Sequence, residues 1–211
     1  MITCSTKLLF RYPDKPVNVD PSFVDRLDKE GNWTAQRKLD GWRTLIYVDP
    51  EVRLLTRTGL PLIDKVKVPD IIIPAIQKLD LPSNTVLDAE LVGPRGSHKP
   101  GLWLFDCLAW DGSWLAKRPY FERWNLLTSR AARLDSDSVR LVESVDTDFL
   151  ELFNKLKQGW INQNKGHDYL YEGIVVKRWN GKLELKRNSS AKSAHMTKLK
   201  FRNINEEISY D

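Results

Sequence analysis

The sequence predicts an α+β fold, mainly antiparallel β-sheets flanked by helices. Three observations predict it. Short runs rich in Val, Ile, Leu, Trp and Thr recur along the 211 residues. Turn pairs such as Asp40-Gly41, Asp49-Pro50 and Asp111-Gly112 punctuate them. Two longer stretches carry apolar residues at helical rather than alternating spacing.

Residues 1–32 hold Pro13, Pro16, Pro21 and Gly31 and read as an irregular lead-in with one helix, Pro21 to Lys29. Strands are predicted at Trp33 to Lys38, Trp42 to Val48 and Val52 to Arg57, spaced as an antiparallel meander. A short helix follows over Pro69 to Leu79, then strands at Thr85 to Val92 and Leu102 to Trp110. Lys117 to Leu134 predicts an amphipathic helix with Phe121, Trp124, Leu127, Ala131 and Leu134 on one stripe. Leu141 to Val145 is a short strand and Asp148 to Asn162 a second long helix. Leu170 to Arg178 and Lys182 to Arg187 read as strands about a Trp179-Asn180-Gly181 turn, with Leu199 to Arg202 as a last strand. With neither repeats nor a low-complexity linker, residues 1–211 read as one domain.

Composition narrows the classes. An apolar fraction of 41% with 21 aromatic residues (8 Trp, 6 Tyr, 7 Phe) argues against disorder. No apolar run approaches the roughly 20 residues that span a bilayer, and the N-terminus lacks a signal-peptide core. A soluble monomer inside the cell, in cytoplasm or nucleoid, is expected. Cys4 and Cys107 are too few for a disulfide framework or a zinc site, and Cys107 reads as a buried reduced thiol. The net charge is +5, yet residues 177–202 hold nine Lys or Arg and one acid, Glu184. That basic C-terminal segment suits a polyanion; a merely solvated tail reads equally well from charge alone.

The densest chemistry lies in Lys38-Leu39-Asp40-Gly41-Trp42-Arg43. A lysine becomes a nucleophile when it sheds its proton, which neighbouring cations and burial promote. An exposed strand lysine and a plain hairpin turn are the bland readings of Lys38 and Asp40-Gly41. Four further segments follow in order. Leu55 to Gly59 sets Arg57 beside a glycine turn. Leu87 to Leu91 sets Asp88 and Glu90 on one side of a strand, otherwise an exposed edge. Trp103 to Asp106 sets aromatics beside a carboxylate, with Trp103 leaning to core. Tyr171 to Lys177 places Glu172 and Lys177 at the ends of an apolar strand. Last, Lys198-Leu199-Lys200 turns both ammonium groups to one face if extended.

This ordered set, over residues 36–200, resembles the covalent nucleotidyltransferase superfamily of ATP-dependent DNA ligases, RNA ligases and mRNA capping guanylyltransferases. It is most like the adenylation domain of ATP-dependent DNA ligases, a ligase-type, ATP-grasp-like fold. Met196 stands where tryptophan is usual and Ala89 where glycine is common. The resemblance implies roles. Lys38 attacks the α-phosphate of ATP and holds AMP, with Arg43, Lys198 and Lys200 crowded about it. Asp40 and Arg43 bind ribose and the incoming 5′-phosphate. Arg57 contacts ribose or phosphate. Glu90 and Glu172 organise the ribose and a divalent metal, Mg²⁺ or Mn²⁺. Phe105 stacks on adenine, Gln36 reads its exocyclic amine, and Lys177 with Lys198 and Lys200 neutralises the triphosphate. The implied substrate is nicked duplex nucleic acid, DNA favoured, in DNA repair or replication. An RNA ligase, a capping guanylyltransferase and a non-catalytic binding module are the alternatives. The family's further OB-fold domain is not expected within the 11 residues after Lys200, so a partner could supply its role. A small enzyme of this kind would suit a virus or phage.

Overall fold

A computed structural model describes residues 8–93, 101–130, 133–134, 138–163, 169–186 and 191–202. The chain starts with strands β1 (Tyr12–Pro13) and β2 (Lys15–Asn18), so the lead-in is not wholly irregular. Pro13 and Pro16 are tolerated because β1 is a two-residue strand and β2 lies at a sheet edge. Helix α1 (Pro21–Lys29) begins where Asp20 accepts the Phe23 N–H at 2.9 Å, with Pro21 in the first turn. Strands β3 (Trp33–Leu39), β4 (Trp42–Asp49) and β5 (Glu51–Leu55) follow, close to their predicted limits. Helix α2 (Ile72–Gln77) is shorter than predicted, with Pro74 in its first turn, where no backbone N–H is needed. Strands β6 (Thr85–Val92) and β7 (Gly101–Trp110) match their expected spans, and β8 (Ser113–Trp114) folds back on β7 through Asp111-Gly112.

Helix α3 (Tyr120–Thr128) is half the predicted length. Pro119 sets its start, because a residue before proline avoids the helical region. Its buried face is Tyr120, Arg123 and Leu127, while Phe121, assigned to the core stripe, is 44% exposed. The stripe's Ala131 lies outside the described residues. The chain continues with β9 (Val139–Leu141), β10 (Ser144–Val145), α4 (Phe149–Asn162), β11 (Tyr171–Arg178), β12 (Leu185–Lys186) and β13 (Lys192–Lys200). The last strand starts seven residues before the predicted one.

Pairing departs from the predicted meander. β3 does not pair with β4. Among the described residues one large sheet runs β10-β3-β11-β13-β2, a second runs β5-β4-β6-β7-β8 with β9 parallel on β7, and β1 and β12 form a small third. Asp40-Gly41 is therefore a crossing between sheets, not a hairpin. The Asp40 N–H bonds to the Leu170 carbonyl at 3.1 Å, and a Cβ on Gly41 would sit 2.4 Å from the Leu91 carbonyl oxygen. Only glycine permits that approach of backbone to backbone. The Trp179-Asn180-Gly181 turn likewise makes no hairpin, since β12 pairs with β1. Of the strand predicted over Lys182 to Arg187, residues 182–184 are not in a strand, and Arg187 lies outside the described residues.

Each large sheet is helix-covered on one face. Phe149, Phe153, Leu156 and Trp160 of α4 form one stripe over Ile174, Val176 and Leu199. Burying each such side chain contributes roughly 1.5–3 kcal/mol. Asp28 of α1 accepts the Phe149 N–H at 3.1 Å and so ties the start of α4 to α1. On the second sheet Ile72 and Ile76 of α2 and Leu127 of α3 cover Leu87, Leu91 and Leu104. Cys107 is buried there as a free thiol, held protonated by burial. The uncovered faces meet through Leu45, Leu183 and Met196, and through Leu39, Trp103 and Val142, so Trp103 is core. No helix among the described residues is long and apolar enough to cross a membrane.

Candidate active site

A cleft opens where the two large sheets face each other. Gln36 and Lys38 from β3, Arg43 from β4, Asp88 and Glu90 from β6, Phe105 and Asp106 from β7, and Lys177 from β11 all line it. The alternation of strand side chains puts Gln36 and Lys38 on one face of β3. It does the same for Asp88 and Glu90 on β6, which is an internal strand and not an exposed edge.

Lys38 Nζ is ion-paired to Glu172 Oε1, and Lys200 Nζ holds the other oxygen of that carboxylate at 2.9 Å. Glu172 reaches both because β11 bulges there: Tyr171 faces Leu39 and Gly173 faces Lys38, leaving Glu172 as the extra residue. Gly173 has φ +148°, and a Cβ there would lie 2.0 Å from the Leu199 carbonyl oxygen. Burial opposes the charge on Glu172, but Lys38 and Lys200 outweigh it and hold the carboxyl below its usual range. Lys198, on the same face of β13 as Lys200, is pushed down by burial and then by the charges of Lys38 and Lys200.

The cation crowd expected around Lys38 is thus incomplete. Arg43 gives its charge to Asp88 in a two-pronged pair, Nε at 2.9 Å and Nη2 at 2.5 Å. Its guanidinium also lies 4.9 Å from the Tyr12 ring centre and 5.7 Å from that of Phe105. Burial pushes the Tyr12 hydroxyl up to about 12. Glu90 is raised to about 7, chiefly by burial, against the pull of Lys38 and Arg43.

The inner end of the cleft rests on an ion pair to which the sequence reading gave no role. Asp106 and Arg123 form a two-pronged pair at 2.8 and 3.1 Å, both nearly inaccessible to solvent. Arg123 also donates to the carbonyls of Arg118 and Gly181. Lys177 lies 3.9 Å from Asp106 and donates to the Phe105 carbonyl at 2.8 Å. Its ammonium sits 5.0 and 4.6 Å from the ring centres of Phe105 and Tyr120. Tyr120 joins this group through Gln36, whose Nε2 donates to the Tyr120 hydroxyl at 2.9 Å. The available signal was slight: acids and an arginine on apolar elements, each free to be a solvated face.

Asp40 and Arg57 are not brought to the cleft wall. Both are exposed, and Arg57 acts at a distance, on the Tyr12 hydroxyl.

Burial lowers Lys177 to about 8, against Asp106 and Asp88. The unfolded chain keeps that proton to about 10.5, so between pH 8 and 10.5 it binds more protons than the native state. Stability then rises with pH across that window, by at most about 1.4 kcal/mol per unit. Thermal unfolding at pH 8 and pH 10 should show wild type gaining on Lys177→Met; parallel curves would refute the shift.

A family model described as the mRNA capping enzyme, catalytic domain, matches residues 10–201. The SPbeta prophage-derived DNA ligase-like protein LigB of Bacillus subtilis (strain 168) is 26% identical over 177 residues, covering 75% of this chain and 58% of its own. The ligase domain of M. tuberculosis LigD superposes with a TM-score of 0.58 at 24% identity, over 80% of this chain and 53% of that one. A mycobacterial DNA ligase D complexed with ATP and MES gives 0.58 at 25%, over 81% and 55%. The chain therefore spans little more than half the length of these relatives.

Proposed function

The chain belongs to the family of the mRNA capping enzyme catalytic domain, as a ligase-like member of the covalent nucleotidyltransferase superfamily, and from that premise we propose that it is an ATP-dependent polynucleotide ligase. The supporting observation is Lys38 on the cleft wall, with Glu172 and Lys200 joined to it in one ion-paired chain. Lys38 Nζ attacks the α-phosphorus of ATP. An N–P bond forms, the bond to the bridging oxygen of the β-phosphate breaks, and pyrophosphate leaves. The nitrogen sheds its protons towards Glu172 Oε1, the atom it already contacts, and on to water. AMP then passes to a 5′-phosphate, and a 3′-hydroxyl displaces it to close the nick. DNA is the favoured strand, following the DNA ligase names of the relatives.

The remaining roles follow placement. Phe105 offers its ring to the base, with Gln36 at the base edge. Arg43 faces phosphate from the cleft wall, Lys198 and Lys200 reach it from β13 beside that wall, and Lys177 holds the inner wall. Asp40 and Arg57, lying outside the cleft, serve at its mouth, towards ribose or the incoming strand. Magnesium uses one or two carboxylates and completes its shell from phosphate and water oxygens. Glu90 and Glu172 suit that pattern, and among the described residues no group of three or more His, Cys, Asp or Glu could hold an ion alone. A metal there supplies Lewis-acid stabilisation of phosphate charge.

Exposed Lys182, Lys186 and Lys192, with Arg187, offer phosphate contacts to the duplex. Neutralising all four should reduce the salt slope of DNA binding by about 3 to 4; an unchanged slope would remove them from the interface. The reading itself is tested by transfer of label from α-phosphate-labelled ATP or GTP to the protein, beside Lys38→Ala. Label from GTP alone would favour the capping reaction that the family's description carries.

A further inference from the structure

On this nucleotide reading of the cleft, we infer that the Tyr120 hydroxyl fixes which edge of the Gln36 amide faces the ligand, and so selects a purine carrying an amine at C6 over one carrying an oxygen there. A glutamine amide has a donor end and an acceptor end, and a half-turn exchanges them. Free to turn, it would accept from the amine of adenine or donate to the oxygen of guanine with equal ease. Gln36 is not free to turn. Tyr120 has one hydroxyl proton, and the Phe105 carbonyl 3.3 Å away can only accept it. The hydroxyl oxygen is then left as an acceptor, so it takes Nε2 of Gln36, at 2.9 Å. That leaves the Oε1 edge of Gln36 for the cleft that it lines.

The ring that carries this hydroxyl is itself clamped. Tyr120 is 2% exposed, stacked on Trp179 at 5.5 Å and tilted against Trp124 at 6.0 Å, with Arg123 5.5 Å from its centre. Burial also raises the hydroxyl well above the usual tyrosine range, so it keeps the proton that it gives to the Phe105 carbonyl. Tyr120 is a positioning residue: it acts on the base only through Gln36.

Equilibrium binding of ATP and GTP, measured by titration calorimetry without divalent metal, tests this on wild type, Tyr120→Phe and Gln36→Glu/Tyr120→Phe. Wild type should prefer ATP. Tyr120→Phe should cut the ATP-to-GTP affinity ratio by about tenfold, the worth of one hydrogen bond. The double variant should recover the ratio, because a carboxylate accepts from either oxygen and needs no orientation. A tyrosine that merely supports the fold would lower both affinities and leave their ratio. An unchanged ratio in Tyr120→Phe, no recovery in the double variant, or no ATP preference in wild type would overturn the inference. Binding with the expected ratios but without labelling of Lys38 would keep the inference and end the ligase reading. Binding of neither nucleotide would end both.

Discussion

Lys38→Ala should abolish the covalent label that, on the ligase reading, the wild-type protein takes from α-phosphate-labelled ATP. The loss is complete rather than graded, because the label is a bond to that nitrogen and no neighbouring group can replace it. Lys198 and Lys200 are close in kind but not in situation: Lys200 is held on the far oxygen of Glu172, and neither lines the cleft as Lys38 does. The fold should survive. The Lys38 side chain is about one-fifth exposed, and Glu172 keeps Lys200 when Lys38 goes, so the change in stability should stay within about 1 kcal/mol. Denaturing electrophoresis after labelling, beside thermal unfolding of both proteins, separates chemistry from folding. Undiminished label in the variant would place the nucleophile elsewhere, and the reading of the cleft would fall with it.

Asp106→Ala should be the most damaging single change to stability. Asp106 is the counterion of Arg123 and the nearest carboxylate to Lys177, and all three are buried. Its Oδ1 also accepts the Cys107 N–H at 2.9 Å. Removing it strands two cations in a low-dielectric interior, which typically costs about 3–5 kcal/mol. The urea midpoint reads this directly. Adding Arg123→Met should restore part of the loss, because one stranded charge is gone. A loss below about 1 kcal/mol, or a double variant worse than the sum of the single changes, would show that water reaches this end of the cleft.

Much of the site was legible in the chain because reacting groups sit beside turns and on short apolar strands. β6 begins and ends where its apolar alternation does, and Glu90 rides on it into the cleft. Lys38 and Arg43 were legible as a pair, but not their environment. Local turn chemistry says that the backbone reverses at Asp40-Gly41 and says nothing about which strand each side then joins. The meander failed there for that reason. The pairings of Asp88 with Arg43 and of Asp106 with Arg123 were illegible for another. A buried ion pair looks, residue by residue, like two solvated charges, and the partner of Asp106 lies 17 positions away. Glu172 stood in the motif, but the bulge that aims it depends on a backbone contact between Gly173 and Leu199, in a different strand.

The crossing at Asp40-Gly41 also has a mechanical side. From Lys38 to Arg43 the contour is five residues, at most about 17 Å when taut. Those two side chains belong to different sheets, so this short tether joins the walls of the cleft by covalent bonds, as does the crossing from β9 to β10 at Val142-Glu143, where Val142 also lines the cleft. The walls can rotate about these two crossings but cannot draw apart there. Any opening of the cleft has to swing at the other edges, with Lys38 near the pivot, where angular motion produces the least displacement.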